Sequence, residues 1–146
     1  MKQWNDVKDD LQPDGTLRDI YVTGIAEPDW DDLINEVAGA GFSIEFTHGG
    51  NVTALPKSFR SIRELQNTDP TTLKVMLQHG IQVNCHFFVD SEIEMDISPG
   101  EVAGPVEFDV LISFLRWIAE TLNRPVVLTY ENSPDQEILR VDRETI

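Results

Sequence analysis

Leu73-Lys74-Val75-Met76-Leu77-Gln78-His79-Gly80-Ile81-Gln82-Val83-Asn84-Cys85-His86-Phe87-Phe88-Val89-Asp90-Ser91-Glu92-Ile93-Glu94-Met95-Asp96-Ile97 decides the fold. It contains three strand-like segments, 73–78, 82–89 and 93–97, separated by turn residues and nothing longer. Parallel neighbours need a crossover of about a dozen residues, so these strands must pair antiparallel. A turn at Asp90-Ser91-Glu92 sets Val89 opposite Ile93, Phe87 opposite Met95 and Cys85 opposite Ile97, whereas a two-residue turn would set Phe87 against Glu94. A turn at His79-Gly80-Ile81 pairs Leu77 with Val83, Val75 with Cys85 and Leu73 with Phe87. One face then becomes a continuous apolar surface. The other carries Lys74, His86 and Asp96 in a row, with Phe88 beside Glu94.

Outward from this block the pattern alternates between helix and strand. Trp4, Val7, Lys8 and Leu11 fall on one helical face, ended by Pro13-Asp14-Gly15. Leu17 to Thr23 reads as a strand. Glu27-Pro28-Asp29 opens a helix whose apolar face is Trp30, Leu33, Ile34 and Val37, ended by Gly39 or Gly41. Phe42, Ile44 and Phe46 alternate with polar residues as a half-buried strand does, up to the His48-Gly49-Gly50 turn. Ser58 to Gln66 is predicted helical, Pro105 starts a long helix to about Leu122, and Val126 to Tyr130 is the last clear strand. The expectation is one α+β domain over residues 1–146, a mostly antiparallel sheet with helices packed on one face.

The chain has 26 Asp and Glu against 11 Lys and Arg, a formal charge of -15 over 146 residues. Disorder is not the reason, because 40% of the residues are hydrophobic, including 3 Trp and 7 Phe. Such an acidic surface suits a basic protein partner and disfavours nucleic acid and anionic membrane. Residues 75–115 hold seven carboxylates and no Lys or Arg, whereas Lys57, Arg60, Arg63 and Lys74 cluster, so the surface should be polarised. The single Cys85 cannot form an internal disulfide, the first residues carry no apolar leader, and no run approaches the ~18 apolar residues of a membrane span. A reducing cytoplasm is the expected location. The Asn51-Val52-Thr53 sequon would matter only in a secretory pathway.

No phosphate-binding loop, zinc-protease, serine-hydrolase or CxxC signature occurs, which favours a non-catalytic protein. Cys85 and His86 are strand neighbours facing opposite ways, so they cannot form a thiol–imidazole dyad. His48, His79 and His86 lack metal-ligand spacing, and no metal or cofactor is expected. Asp29, Asp31 and Asp32 in a first helical turn complement the helix dipole, and with Glu94 and Asp96 they are candidate contacts for a basic partner, Phe88 and Tyr21 being candidate aromatic anchors. The alternative use of the open face is an enzyme or small-ligand site built on Lys74, His86 and Asp96, with Asp96 orienting the imidazole. On the long helix, Val110, Phe114 and Trp117 add a second apolar stripe, either buried centrally or contacting a second copy in a homodimer.

Leu17-Arg18-Asp19-Ile20-Tyr21-Val22, Asp29-Trp30 with Leu33, Asn84-Cys85-His86-Phe87-Phe88 with Glu92-Ile93-Glu94, and Pro125-Val126-Val127-Leu128-Thr129 with Glu131-Asn132 together have a familiar texture. In these strings the chain resembles small acidic bacterial proteins of the kind that confer immunity to polymorphic toxins. The resemblance implies a cytosolic inhibitor whose acidic surface covers the basic cleft of a toxin domain such as a nuclease. It supplies no catalytic residues to transfer.

Overall fold

A computed structural model of the chain describes residues 1–143. Its strands are β1 (Arg18–Thr23), β2 (Ser43–His48), β3 (Asn51–Thr53), β4 (Thr71–Met76), β5 (Gln82–Val89), β6 (Glu92–Ile97), β7 (Val126–Tyr130) and β8 (Ser133–Val141). They form one sheet in the order β3-β2-β4-β5-β6-β1-β7-β8, and every pairing is antiparallel. The helices are α1 (Trp4–Val7), α2 (Glu27–Gly39), α3 (Phe59–Gln66) and α4 (Pro105–Leu122). The fold is therefore α+β. Among the described residues no helix is long and apolar enough to cross a membrane.

All the helices bury their apolar faces against the same side of the sheet. Trp30, Leu33, Ile34 and Val37 of α2, Phe59 and Ile62 of α3, and Leu111, Leu115 and Ile118 of α4 share one core with Ile20, Val22, Val83, Cys85, Phe87, Ile93, Met95 and Ile97. Trp30 is its keystone. Its indole stacks on Phe59 at 4.8 Å, lies 5.2 Å from the Phe87 ring, and donates its Nε1–H to the Val89 carbonyl at 3.1 Å. Local chemistry fixes the helix ends. Ser58 Oγ accepts from Ser61 N at 3.1 Å to cap α3, and Asn123 ends α4 in the left-handed region at φ 52°.

The N-terminal turn is tied down by a buried cation. The Arg18 guanidinium donates to the carbonyls of Asp10 (2.8 Å), Leu17 (3.0 Å) and Gln12 (3.3 Å) and to Thr16 Oγ1 (2.9 Å). It lies over the Tyr130 ring at 4.8 Å, and the Tyr130 hydroxyl hydrogen-bonds Asp10. The Arg18 Nη1 and Nη2 also reach the Asp14 carboxylate at 3.4 Å, so every nitrogen of the guanidinium has an oxygen partner, which a dry guanidinium requires.

The structure corrects several expectations. The first helix is only one turn, Trp4–Val7, and its continuation to Leu11 consists of turns, although Leu11 is still buried. Two strands were not anticipated: the short β3 and the nine-residue β8. Both central registers differ by two residues from the expected ones. Val75 pairs Val83 and Leu73 pairs Cys85, rather than Cys85 and Phe87. Cys85 pairs Met95 rather than Ile97. A shift of two leaves every side chain on its face, so Phe87 and Met95 remain together in the core. The β5–β6 turn is the two-residue Asp90-Ser91, with Val89 opposite Glu92. A bulge between His86 and Val89 then supplies the extra residue that keeps Phe87 inward and turns Phe88 out to 53% exposure.

Candidate functional site

Because every helix lies on one side, the other side of the sheet is left to polar side chains, and the registers align them in two rows. One row runs Glu45, Lys74, Asn84, Asp96, Asp19, Thr129 across β2, β4, β5, β6, β1 and β7. The next runs Thr47, Thr72, His86, Glu94, Tyr21, Val127, Arg140, reaching β8. The basic residues of these rows are committed at the periphery. Lys74 Nζ lies 3.8 Å from Glu45, and Arg140 is paired with Glu137 at 3.0 Å. Asp19, Glu94 and Asp96 occupy the centre, and His86 is their only cationic neighbour among the charged pairs described.

Two carboxylates, Asp19 and Asp96, sit directly opposite one another on adjacent strands, an arrangement that repels unless each charge is balanced locally. Asp96 Oδ2 is 2.6 Å from His86 Nε2, and its Oδ1 accepts from Asn84 Nδ2 at 2.9 Å. Asn84 is in turn held by Gln82 at 2.8 Å. Asp19 Oδ2 accepts the Asn132 backbone N–H at 2.8 Å and the Tyr21 hydroxyl at 3.0 Å. Tyr21 also lies 3.1 Å from Glu94 Oε1, bridging the two carboxylates. Its phenol is held far above its ordinary value, first by burial and then by Asp19. The Asp96 hydrogen bond holds His86 above its usual 6.5 against the opposing effect of burial. Glu94 is likewise raised, chiefly by burial, with Asp19 and Glu92 adding repulsion and the Tyr21 hydrogen bond opposing.

Beside this cluster, Phe88 stacks on the His86 ring at 5.2 Å with an interplanar angle of 11°. The bulge aims it outward, and Arg63 of α3 fixes the bulge by donating to the carbonyls of Phe87 and Phe88. The face thus presents an exposed aromatic ring next to a carboxylate group held by hydrogen bonds. Asp19 and Tyr21 are themselves buried, so half-buried Glu94 and Asp96 are the carboxylates that a cation could reach from solvent. A base is present in His86, but Cys85 points into the core, where burial pushes its thiol well above the ordinary range. Neither His86 nor Asp96 lines either of the two clefts that flank α4.

The sequence-derived candidates divide into three places. Tyr21, Glu94, Asp96, His86 and Phe88 come together on the open face. Lys74 is on the same face but pairs in register with Asn84 and reaches Glu45, so the expected Lys74–His86–Asp96 row is replaced by a His86–Asp96–Asn84 group. Asp29, Asp31 and Asp32 lie on α2, in the helical layer behind the sheet. Asp29 accepts the Ala26 N–H at 3.0 Å, and Asp31 accepts the Phe59 N–H at 2.8 Å, joining α2 to the start of α3. Those two carboxylates serve the fold, and Asp32 is exposed. Val110, Phe114 and Trp117 flank a cleft, with Phe114 buried and the other two half-buried. The residue that sequence reasoning omitted from the site is Asp19. Its alternation with Ile20 and Val22 places it beside Tyr21, which was the available signal.

No protein family, curated protein or solved structure matches this chain.

Proposed function

We propose that the chain is a non-catalytic binding protein that uses the open sheet face to neutralise a basic protein, an inhibitor of the immunity-protein kind acting on a toxin domain in the bacterial cytoplasm. The observation that carries this reading is the electronegative centre of Glu94 and Asp96 around the buried Asp19, with its exposed Phe88 neighbour and, among the described residues, without a Lys or Arg counterion. A partner's Lys or Arg would offset the repulsion from Asp19 and Glu92 that adds to burial in raising Glu94, while Phe88 would supply an aromatic anchor of the kind that dominates interface energetics. The net charge of -15 adds steering of the encounter, which salt would weaken. The catalytic alternative has less support in the same geometry: the imidazole has an orienting carboxylate, but among the described residues no hydrogen bond joins it to the hydroxyl of Thr72, its cross-strand neighbour.

The test is capture from a lysate of the source cells with wild-type protein, Glu94→Gln and Phe88→Ala, at low salt and at ~0.5 M salt. The expected result is one basic protein in stoichiometric amount with the wild type, less at high salt and less with either variant. Equal recovery by wild type and variants, or no basic protein at all, would overturn the proposal.

A further inference from the structure

The outward ridge of α4 lies between two clefts on the opposite side of the molecule from His86. One, of about 730 Å³, is lined by Gly41, Phe42, Met76, Val110, Phe114 and Trp117, and is largely apolar. The other, of about 600 Å³, lies between α4 and residues 1–5 and contains Phe108, Ile112 and Arg116. Asp109 and Ser113 border both. Val106 stands on the same ridge at 53% exposure. A helix flanked by two grooves, with a small side chain at mid-ridge, can accept a second helix at close range.

Charge decides what that second helix is. Arg116 is the one described residue with a buried side-chain polar atom, Nε, that has no hydrogen-bond partner. Among the described residues neither Arg116 nor Asp109 makes an ion pair. The two are seven residues apart, hence on the same helical face, with Ser113 between them. Laying α4 antiparallel on its own copy about a two-fold axis near Ser113 brings Asp109 of each chain to Arg116 of the other. The same register sets Glu120 against the N-terminal turn of the facing helix, where negative charge is favoured. Val106, Val110 and Trp117 then meet across the seam. An isologous contact requires this self-complementarity: residue i meets j, and j meets i.

We propose that this chain forms a two-fold dimer through α4, with reciprocal Asp109–Arg116 pairs across an apolar seam of Val106, Val110 and Trp117. The proposal is independent of the binding reading, because the dimer leaves both acidic sheet faces pointing outward. It is tested by sedimentation equilibrium of the full chain at ~0.15 M salt. Wild type is expected at twice the 16.5 kDa chain mass. Asp109→Arg and Arg116→Asp, each placing like charges at two symmetric contacts, should weaken association about tenfold or more. An equimolar mixture of these two variants should recover the dimer, since each heterodimer contact is again an Asp–Arg pair. Val110→Asp, on a half-buried position, should give a folded monomer by circular dichroism. A monomeric wild type at ~100 µM, where even a weak dimer of micromolar affinity is populated, would overturn the proposal. So would unaltered association of the single variants, or a mixture no tighter than they are.

Discussion

Arg18→Met is the sharpest test of the buried cation beneath the sheet. Methionine retains much of the stem volume but removes the guanidinium, leaving the carbonyls of Asp10, Leu17 and Gln12 without their donor. Hydrogen bonds to a charged group are each worth about 1.5–3 kcal/mol, so three would suggest about 4.5–9 kcal/mol if all stayed dry. They do not all stay dry, because Asp10 is half-buried and Gln12 exposed, so water can reach part of this shell. The expected loss is therefore about 3 kcal/mol, near the lower end for breaking a buried ionic contact. Urea denaturation followed by tryptophan fluorescence should show the midpoint falling by about 1–2 M, with the slope unchanged. Hydrogen exchange should quicken first in residues 4–12, which Arg18 ties to Tyr130. Asp14, whose carboxyl is held at about 2 chiefly by the Thr16 hydroxyl and backbone N–H and only then by Arg18, should stay well below its ordinary value. A midpoint shift under about 0.3 M would mean that water replaces the guanidinium at little cost, and the clamp assigned to Arg18 would be refuted.

Two further outcomes follow from the site. His86 is held above 6.5 in the folded protein, so its contribution to stability is fully present below that value and disappears as pH rises through the folded-state pKa. Asp96→Asn should lower the imidazole titration measured by NMR and flatten that pH dependence, and an unmoved His86 titration would contradict the Asp96 assignment. Cys85 is fully enclosed and its thiol raised by burial, so a thiol reagent should label it only at the rate of unfolding, and prompt labelling of the native chain would show that the β5 face is open.

The legible part of this fold was the part written in alternation. The period of two through β4, β5 and β6 gave the residues their correct faces up to the bulge, beyond which Val89, expected in the core opposite Ile93, is exposed and opposite Glu92, and Pro105 with the apolar stripes marked α4. Register was not legible, since sliding a strand by two preserves every inward and outward assignment that the apolar pattern can report. The bulge at Phe87-Phe88 compounded this by reconciling a two-residue turn with an inward Phe87. β8 was missed because Ser133 to Glu137 carries a proline and two acids with no apolar alternation, as an exposed outer strand can. The same limits shaped the site. His86, Asp96, Glu94 and Phe88 were placed on one face from the pattern, and Asp96 was expected to orient His86, as it does at 2.6 Å; the bonds of Tyr21 to both Asp19 and Glu94 were not read, because they depend on how β1 registers against β6, which the pattern does not report. Asp31 could not be recognised as the ligand of the Phe59 N–H, because that contact spans 28 residues.

The outermost strands have a consequence for how this molecule behaves when crowded. β8 ends the sheet with Pro134, which has no N–H to offer, and with Asp135 and Glu137 exposed along the same margin. At the other margin β3 offers only Asn51–Thr53. Both are poor templates for adding a strand from a neighbouring chain, because one margin loses a donor at Pro134 and carries two exposed acids while the other is too short to nucleate pairing. Ribbon growth and fibre formation through the sheet are thereby disfavoured, which suits an eight-stranded open sheet to high concentration.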